Sequence, residues 1–308
     1  GSYNTALGYY SLRANTTGIN NVAVGYLALD NNSNGYYNTA LGSEALSSNL
    51  SSDNNTAIGN RALWISTGSL NTAVGSGAMV QNTSGYRNNA FGYYALSDNS
   101  TGERNTAMGS NALDSNTTGS YNTALGNFAF SNGTNYSNST GIGYDANPNA
   151  SNTIRLGNAS VSTIGGFANW TNVSDGRFKT QVKENVMGLD FILKLRPVTY
   201  KLDMNAVAAF YETNKELRIP SSEISKAKET QIGFIAQEVA TIAKDLNFDF
   251  HGVDRPDNEK DHYGIRYAEF VPVLVKAIQE QQEEISALKE KLSKLEALEA
   301  RIAKLEQD

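Results

Sequence analysis

The sequence predicts a β-solenoid, followed by an α+β domain and a C-terminal coiled-coil helix. Three observations predict it. A glycine recurs at Gly8, Gly25, Gly42, Gly59, Gly75, Gly92, Gly109, Gly126 and Gly143, spaced by 17 residues at every step but one, which is 16. Near Ser174 the composition changes from Asn, Ser, Thr, Gly, Ala and Tyr to that of an ordinary charged domain. From Val271 onward Glu, Lys, Leu, Ala and Gln dominate, as in a long helix.

The repeat comes first, as residues 1–150. Around each glycine runs Asn-Thr-Ala-apolar-Gly-x-x-Ala-Leu, as in NTALGSEAL from Asn38 and NTAIGNRAL from Asn55; the ninth copy, NSTGIGYDA from Asn138, is degenerate. A second glycine sits between copies, as at Gly18, Gly35 and Gly68. Short alternations of small, apolar and polar residues punctuated by glycine read as strands joined by tight corners. One such coil cannot bury its apolar side alone, whereas a stack of coils forms a continuous core and pairs its own edges. Asn at a fixed phase is expected to stack into a ladder of side-chain amides. These residues contain no lysine and only eleven charged side chains. Asn-x-Ser/Thr triplets such as Asn15-Thr16-Thr17 read as by-products of the composition.

These coils resemble the head repeats of trimeric autotransporter adhesins, the YadA-like heads. The resemblance covers residues 1–150 and implies a left-handed parallel β-roll assembled as a trimer. The period of 17 is longer than is usual in those heads, which implies a longer loop. Adhesins of that class end in a membrane-anchoring β-barrel, and this chain ends in a charged helix.

Residues 151–173 read as a capping coil and junction. Ser151–Gly166 is a last, altered copy, and Phe167 and Trp170 are expected to pack as part of a cap that blunts the open edge.

Residues 174–270 form the α+β domain. It contains Ser174-Asp175-Gly176-Arg177-Phe178-Lys179, a Gly188-Leu189 to Leu195-Arg196-Pro197-Val198 block, Gly233-Phe234-Ile235-Ala236-Gln237-Glu238-Val239, and Tyr263-Gly264 leading to Tyr267. Together these blocks resemble the C-terminal intramolecular chaperone of phage endosialidases and tail spikes, a family of self-cleaving domains. The resemblance implies that Ser174 is a nucleophile and Lys179 its general base, in a single-turnover serine peptidase acting within its own chain or trimer. A serine hydroxyl needs an adjacent base, and lysine serves only when its surroundings favour the neutral amine. Asp175 is expected to hold the turn by an Asx-type hydrogen bond. The cut falls beside Ser174, at Val173–Ser174 or at Ser174–Asp175. Thr180–Val186 and Val198–Leu202 read as strands, and Leu189–Leu195, Ile232–Ala243 and Tyr267–Ile278 as helices. Asn205–Lys228 and Asn247–Lys260 match none of the blocks and read as family-variable insertions.

Residues 271–308 carry the seam of a trimeric coiled coil. Leu274, Ile278, Gln281, Ile285, Leu288, Leu292 and Leu295 alternate four- and three-residue steps, and Leu298, Ile302 and Leu305 continue after one extra three-residue step.

Composition narrows the function. A net charge of −6 argues against nucleic acid. With no cysteine there is neither a disulfide framework nor a thiolate metal site, and His251 and His262 read as surface residues, so no cofactor or metal is expected. The apolar stretch Val271–Ile278 is far short of the roughly 20 residues that cross a bilayer, so no membrane insertion is expected. Gly1–Leu12 already reads as repeat rather than as a signal peptide, so the chain is expected to continue something longer. The expected protein is therefore the C-terminal part of a homotrimeric fibre, from a phage tail or a related injection machine. Its partners are itself and a host cell-surface receptor or glycan. It is placed on a virion or at a cell surface, with its chaperone removed after assembly. A bacterial surface adhesin is the alternative. A glycan-degrading spike fits less well, because the acidic residues of 1–150 share no phase that would pair them in a cleft.

Overall fold

The computed structural model describes residues 1–133, 135–259 and 261–305. The last three residues of the predicted seam helix and Lys260 of the second insertion lie outside the described residues. The chain divides into two compact units, Gly1–Ile164 with Met204–Lys226, and Gly165–Asp203 with Ala227–Asp308.

The first unit is a parallel β-solenoid. Each coil contributes one three-residue strand, from β1 (Thr5–Leu7) to β9 (Thr140–Ile142) and β10 (Ile154–Leu156), in a ten-stranded sheet whose spatial order is the sequence order. Equivalent residues stand on one another, as in Thr39↔Thr56, Ala40↔Ala57 and Leu41↔Ile58. The 16-residue step keeps this register, with Thr56 opposite Thr72. The missing residue falls between Ser66 and Gly68, two positions apart where the next coil has three between Asn82 and Gly85.

The core is made of three side chains per coil. The central strand alanine and the Ala-Leu pair that follows the glycine are buried, as in Ala40, Ala45 and Leu46. Small residues suit it, because neighbouring coils lie only one strand spacing apart, about 4.8 Å. The repeat glycine is required by the same crowding. Gly42 has φ of +140°, and a Cβ there would lie 2.5 Å from the carbonyl oxygen of Gly59. Leu46 itself sits at φ of +52°, as its equivalents do in the other coils. That left-handed corner costs a non-glycine residue about 1–2 kcal/mol. Full burial of the leucine side chain, worth about 1.5–3 kcal/mol, offsets it.

Two asparagine ladders pair most of the interior polar side chains, and Asn116 Oδ1, at the end of the second, has no hydrogen-bond partner among the described residues. In the predicted one, Asn38 N donates to Asn21 Oδ1 (2.9 Å), and Asn38 Nδ2 donates to the carbonyl of Ser52 (2.8 Å). A second ladder runs through Asn15, Asn32 and Asn49, where each Nδ2 donates to the preceding Oδ1 at 3.0 and 2.8 Å. Ser66 takes this place in the short coil, and the ladder resumes at Asn82, Asn99 and Asn116.

The second unit is mixed α and β. Its core gathers Phe191 of α1 (Leu189–Ile192) with Phe248, Phe250 and Phe270, whose ring centroids lie 5.3, 5.0 and 6.4 Å from it. Strand β11 (Val198–Tyr200) is followed in sequence by α2 (Met204–Phe210) and α3 (Pro220–Lys228), which fall in the first unit apart from the last two residues of α3. Strand β12 (Gln231–Gly233) then pairs antiparallel with β11. Helix α4 (Ala236–Asp245) turns Ala236, Val239, Ala240 and Ala243 into the core. A short pair, β13 (Val253–Asp254) and β14 (Gly264–Ile265), precedes the 36-residue α5 (Phe270–Leu305).

Three expectations are corrected. Thr180–Val186 is not a strand: Glu184 and Val186 instead line a groove with Pro272 and Val275 of α5. The helix expected from Ile232 starts at Ala236, because Gln231–Gly233 is taken up by pairing with β11. Phe167 and Trp170 do not pack as a cap; both are fully exposed. Within Asn205–Lys228, the segment that matched none of the blocks, all but the last two residues cluster with the solenoid.

Candidate functional site

The composition boundary folds into a tight turn that carries the predicted site. Gly176–Phe178 form one 3-10 turn, capped by Asp175, whose Oδ1 accepts from Arg177 N at 2.8 Å. Phe178 N and Lys179 N donate to the carbonyls of Asp175 and Gly176 at 3.1 and 3.2 Å. The turn reverses the chain within five residues and brings Lys179 Nζ to 2.8 Å from Ser174 Oγ. Val173 precedes the serine and is exposed.

Arg177 holds Asp175 in a two-pronged ion pair, with Nε at 3.0 Å and Nη2 at 2.6 Å from Oδ2. The guanidinium bonds first, and the Arg177 backbone bond second, hold the Asp175 carboxyl below its ordinary range. Asp175 is thus engaged by Arg177, which leaves the lysine paired with the serine. Reading the sequence identified the Asx-type turn but missed the clamp. An Arg two residues after a turn Asp was the available signal.

The turn lies open in the single chain. Ser174 and Lys179 are both exposed. Phe167, Trp170, Val173, Phe178 and Val182 surround it in sequence, and each exposes more than two thirds of its surface. Exposed aromatic and aliphatic side chains concentrated in one short segment are unusual on a surface that stays in water.

Residues 174–248 match the model of a peptidase family described as the chaperone of endosialidase. The chain carries an endosialidase-type chaperone domain. The match begins on Ser174 itself and ends at Phe248, before the Tyr263–Tyr267 block. No curated protein matches the sequence.

In this chaperone domain the motif blocks meet for packing reasons. Gly188 precedes α1, and a Cβ on it would lie 2.3 Å from Glu280 Oε2 and 2.8 Å from Ala277 N. That close approach lets Glu280 of α5 accept from Leu189 N at 2.7 Å, filling a donor at the start of α1. Arg196 pairs both guanidinium arms with Glu238 of α4. Tyr267 OH accepts from Phe234 N at 3.3 Å, so the third and fourth blocks are joined directly. His251 is exposed, and His262 borders a groove with Tyr200, Phe234 and Tyr263. Among the described residues no cluster of His, Asp and Glu has the makings of a metal site, and no helix is long and apolar enough to cross a membrane.

Proposed function

We propose that this chain is one protomer of a homotrimeric fibre, in which residues 1–150 are the shaft or head, 151–173 the junction, 174–270 the chaperone and 271–308 a trimeric coiled coil. The observation that carries this reading is a pair of apolar surfaces that the single chain leaves unpartnered. One is the outward face of the solenoid strands, where Leu7, Leu41, Phe91, Met108, Leu125 and Ile142 stand at one phase and are exposed. The other is α5, where Ile278, Ile285, Leu288, Leu292, Leu295, Leu298 and Ile302 are exposed at seam spacing. Each repeats its apolar residues along the element, at coil spacing in one and at seam spacing in the other, so three parallel copies in register can bury either row along its length.

A chaperone of this kind answers a physical problem. Every rung of the solenoid resembles the next, so three chains can pair one rung out of step. A terminal trimerising domain fixes the register and raises the effective concentration of the strands. Its removal afterwards leaves the shaft trapped by its unfolding barrier. The fibre belongs to a phage tail or related injection machine, and the exposed tyrosines of the solenoid, such as Tyr9, Tyr26 and Tyr93, offer an attachment surface to a host receptor or glycan.

Release is a cut beside Ser174 by the Ser174–Lys179 pair. Lys179 takes the Ser174 hydroxyl proton, Oγ forms an ester with the scissile acyl group (the Val173 carbonyl when the serine acts on its own chain, the Ser174 carbonyl of another chain when the cut is at Ser174–Asp175), and the freed amine accepts a proton. Water then hydrolyses the ester, so the net change is one peptide bond and one water to a carboxylate and an amine. A lysine performs the first step only as the neutral amine, which burial favours. The exposed turn lacks that burial in one chain, and the apolar residues around it would supply it when covered by the other two. Ser174→Ala is expected to leave a single 33.2 kDa band on a denaturing gel, where the parent chain gives two fragments. Lys179→Arg is expected to do nearly the same, because guanidinium stays protonated. The terminal residues of the fragments tell Val173–Ser174 from Ser174–Asp175. Two fragments from Ser174→Ala would remove the serine from the reaction.

A further inference from the structure

The turn that carries Ser174 and Lys179 also holds an acid. Asp175 stands one residue from the serine and four from the lysine. A free carboxylate in that place is a natural partner for an ammonium, and an opposite charge within about 4–6 Å favours the charged form of a base. A lysine paired in this way keeps its proton and cannot take one from a hydroxyl. The acid therefore has to be kept away from the lysine if the pair is to act.

Arg177 does this with one side chain. Its Nε donates to both carboxylate oxygens, 3.1 Å from Oδ1 and 3.0 Å from Oδ2, and its Nη2 donates to Oδ2 at 2.6 Å. Oδ1 also accepts from Arg177 N at 2.8 Å. Both oxygens are thus occupied by a single residue, in the fork geometry that a guanidinium offers and an ammonium does not. Phe178 backs the guanidinium, with its ring centroid 5.8 Å from Cζ. Lys179 stands outside this arrangement. It makes no ion pair among the described residues, and its Nζ meets the Ser174 hydroxyl at 2.8 Å. The charged side chains of the turn are Asp175, Arg177 and Lys179, so the first two cancel and leave the lysine with a neutral partner.

We propose that Arg177 is a positioning residue for self-cleavage: by holding both oxygens of Asp175 it keeps the carboxylate off Lys179, so that the lysine is left to the serine and can shed its proton. This rests on the Ser174–Lys179 reading above. Arg177 acts through Asp175 and not on the reacting atoms.

The test is the pH profile of the cut. Full-length chain, purified uncleaved in denaturant, is diluted into buffers from about pH 6 to about pH 10, and fragments are measured as a share of the assembled chain. A base that holds its proton more tightly works only at higher pH. Arg177→Gln frees the carboxylate, so the half-maximal pH should rise by about one unit or more, which slows the cut about tenfold on the acid side of the profile. Asp175→Asn keeps an acceptor to cap the turn but removes the charge. Arg177→Gln with Asp175→Asn should therefore return the half-maximal pH to that of the parent, whatever the height of its plateau. A half-maximal pH unmoved by Arg177→Gln, including an equal loss at every pH, reduces Arg177 to a part of the turn and overturns the proposal. A rise that Asp175→Asn does not reverse overturns it as well, because the carboxylate is then not the cause. In both cases the dyad reading stands. Fragments from Ser174→Ala, or no cut in the parent at any pH, bring down the dyad reading and this proposal together.

Discussion

A buried asparagine in the solenoid core has three obligations. Asn88 N donates to Asn71 Oδ1 (2.9 Å), its Nδ2 donates to the Gly102 carbonyl (2.8 Å), and its Oδ1 accepts from Asn105 N (2.8 Å). Asn88→Ala strands groups that no water reaches, at about 1–3 kcal/mol each. The expected loss is about 3 kcal/mol, read as a lower denaturation midpoint at unchanged slope. Asp114 works in the opposite sense. Burial pushes its carboxyl above the ordinary value, the Asp98 charge adds to this, and bonds from Asn111 and Ser115 oppose it. A raised folded value means that the folded state holds its proton more tightly. The contribution is therefore present at low pH and lost as pH rises through that value. Asp114→Asn should raise the midpoint at about pH 7 and leave it unchanged at about pH 3. The Asn21–Asn122 ladder was legible because it keeps a fixed place before the repeat glycine. The Asn15–Asn116 ladder was not, since asparagine is so common here that a second phase does not stand out, and the short coil breaks it at Ser66. The left-handed leucines were illegible too, because leucine avoids that conformation unless packing imposes it.

Helix α5 joins two environments. Its first turns bury Phe270, Val273 and Ala277 in the chaperone core, while the described residues beyond Gln281 are all exposed. Its length, roughly 54 Å at ~1.5 Å per residue, exceeds what the domain itself can cover. Ending the chain after Glu283 keeps Glu280 on Leu189 N and removes the seam from Ile285 onward. The shortened chain should refold to trimers in much lower yield, whereas a shaft already assembled should keep its melting temperature. Equal refolding yields would take the helix out of the template. The helix could be read from its seam spacing, which local sequence dictates. The Thr180–Val186 strand could not be judged that way, because a strand exists only where a partner strand lies beside it, and here that neighbour is a helix. The placement of Met204–Lys226 was equally hidden. Nothing within the segment points to Arg155 as the neighbour of Tyr211, and the break in the repeat at that position is seen only once the coils are stacked.

At the scale of the whole molecule, the solenoid satisfies itself along its axis, through in-register strands and amide ladders, and leaves an apolar face sideways. The chaperone likewise completes its aromatic core and leaves an apolar row on α5 and an open turn at Ser174–Lys179. Three features that one chain leaves exposed, two of them far apart in sequence, are accounted for together if three copies assemble in parallel. The proximity of Lys179 to Ser174 was expected from the resemblance carried by the Ser-Asp-x-x-x-Lys block, but the exposure of the turn was not, because the residues that cover or uncover it lie outside that block. The most direct measurement is light scattering on the full-length Ser174→Ala chain at micromolar concentration, which keeps shaft and chaperone in one piece. Three copies of 33.2 kDa predict a single species of about 100 kDa that does not dissociate on dilution; a stable, folded species of 33.2 kDa would contradict the account.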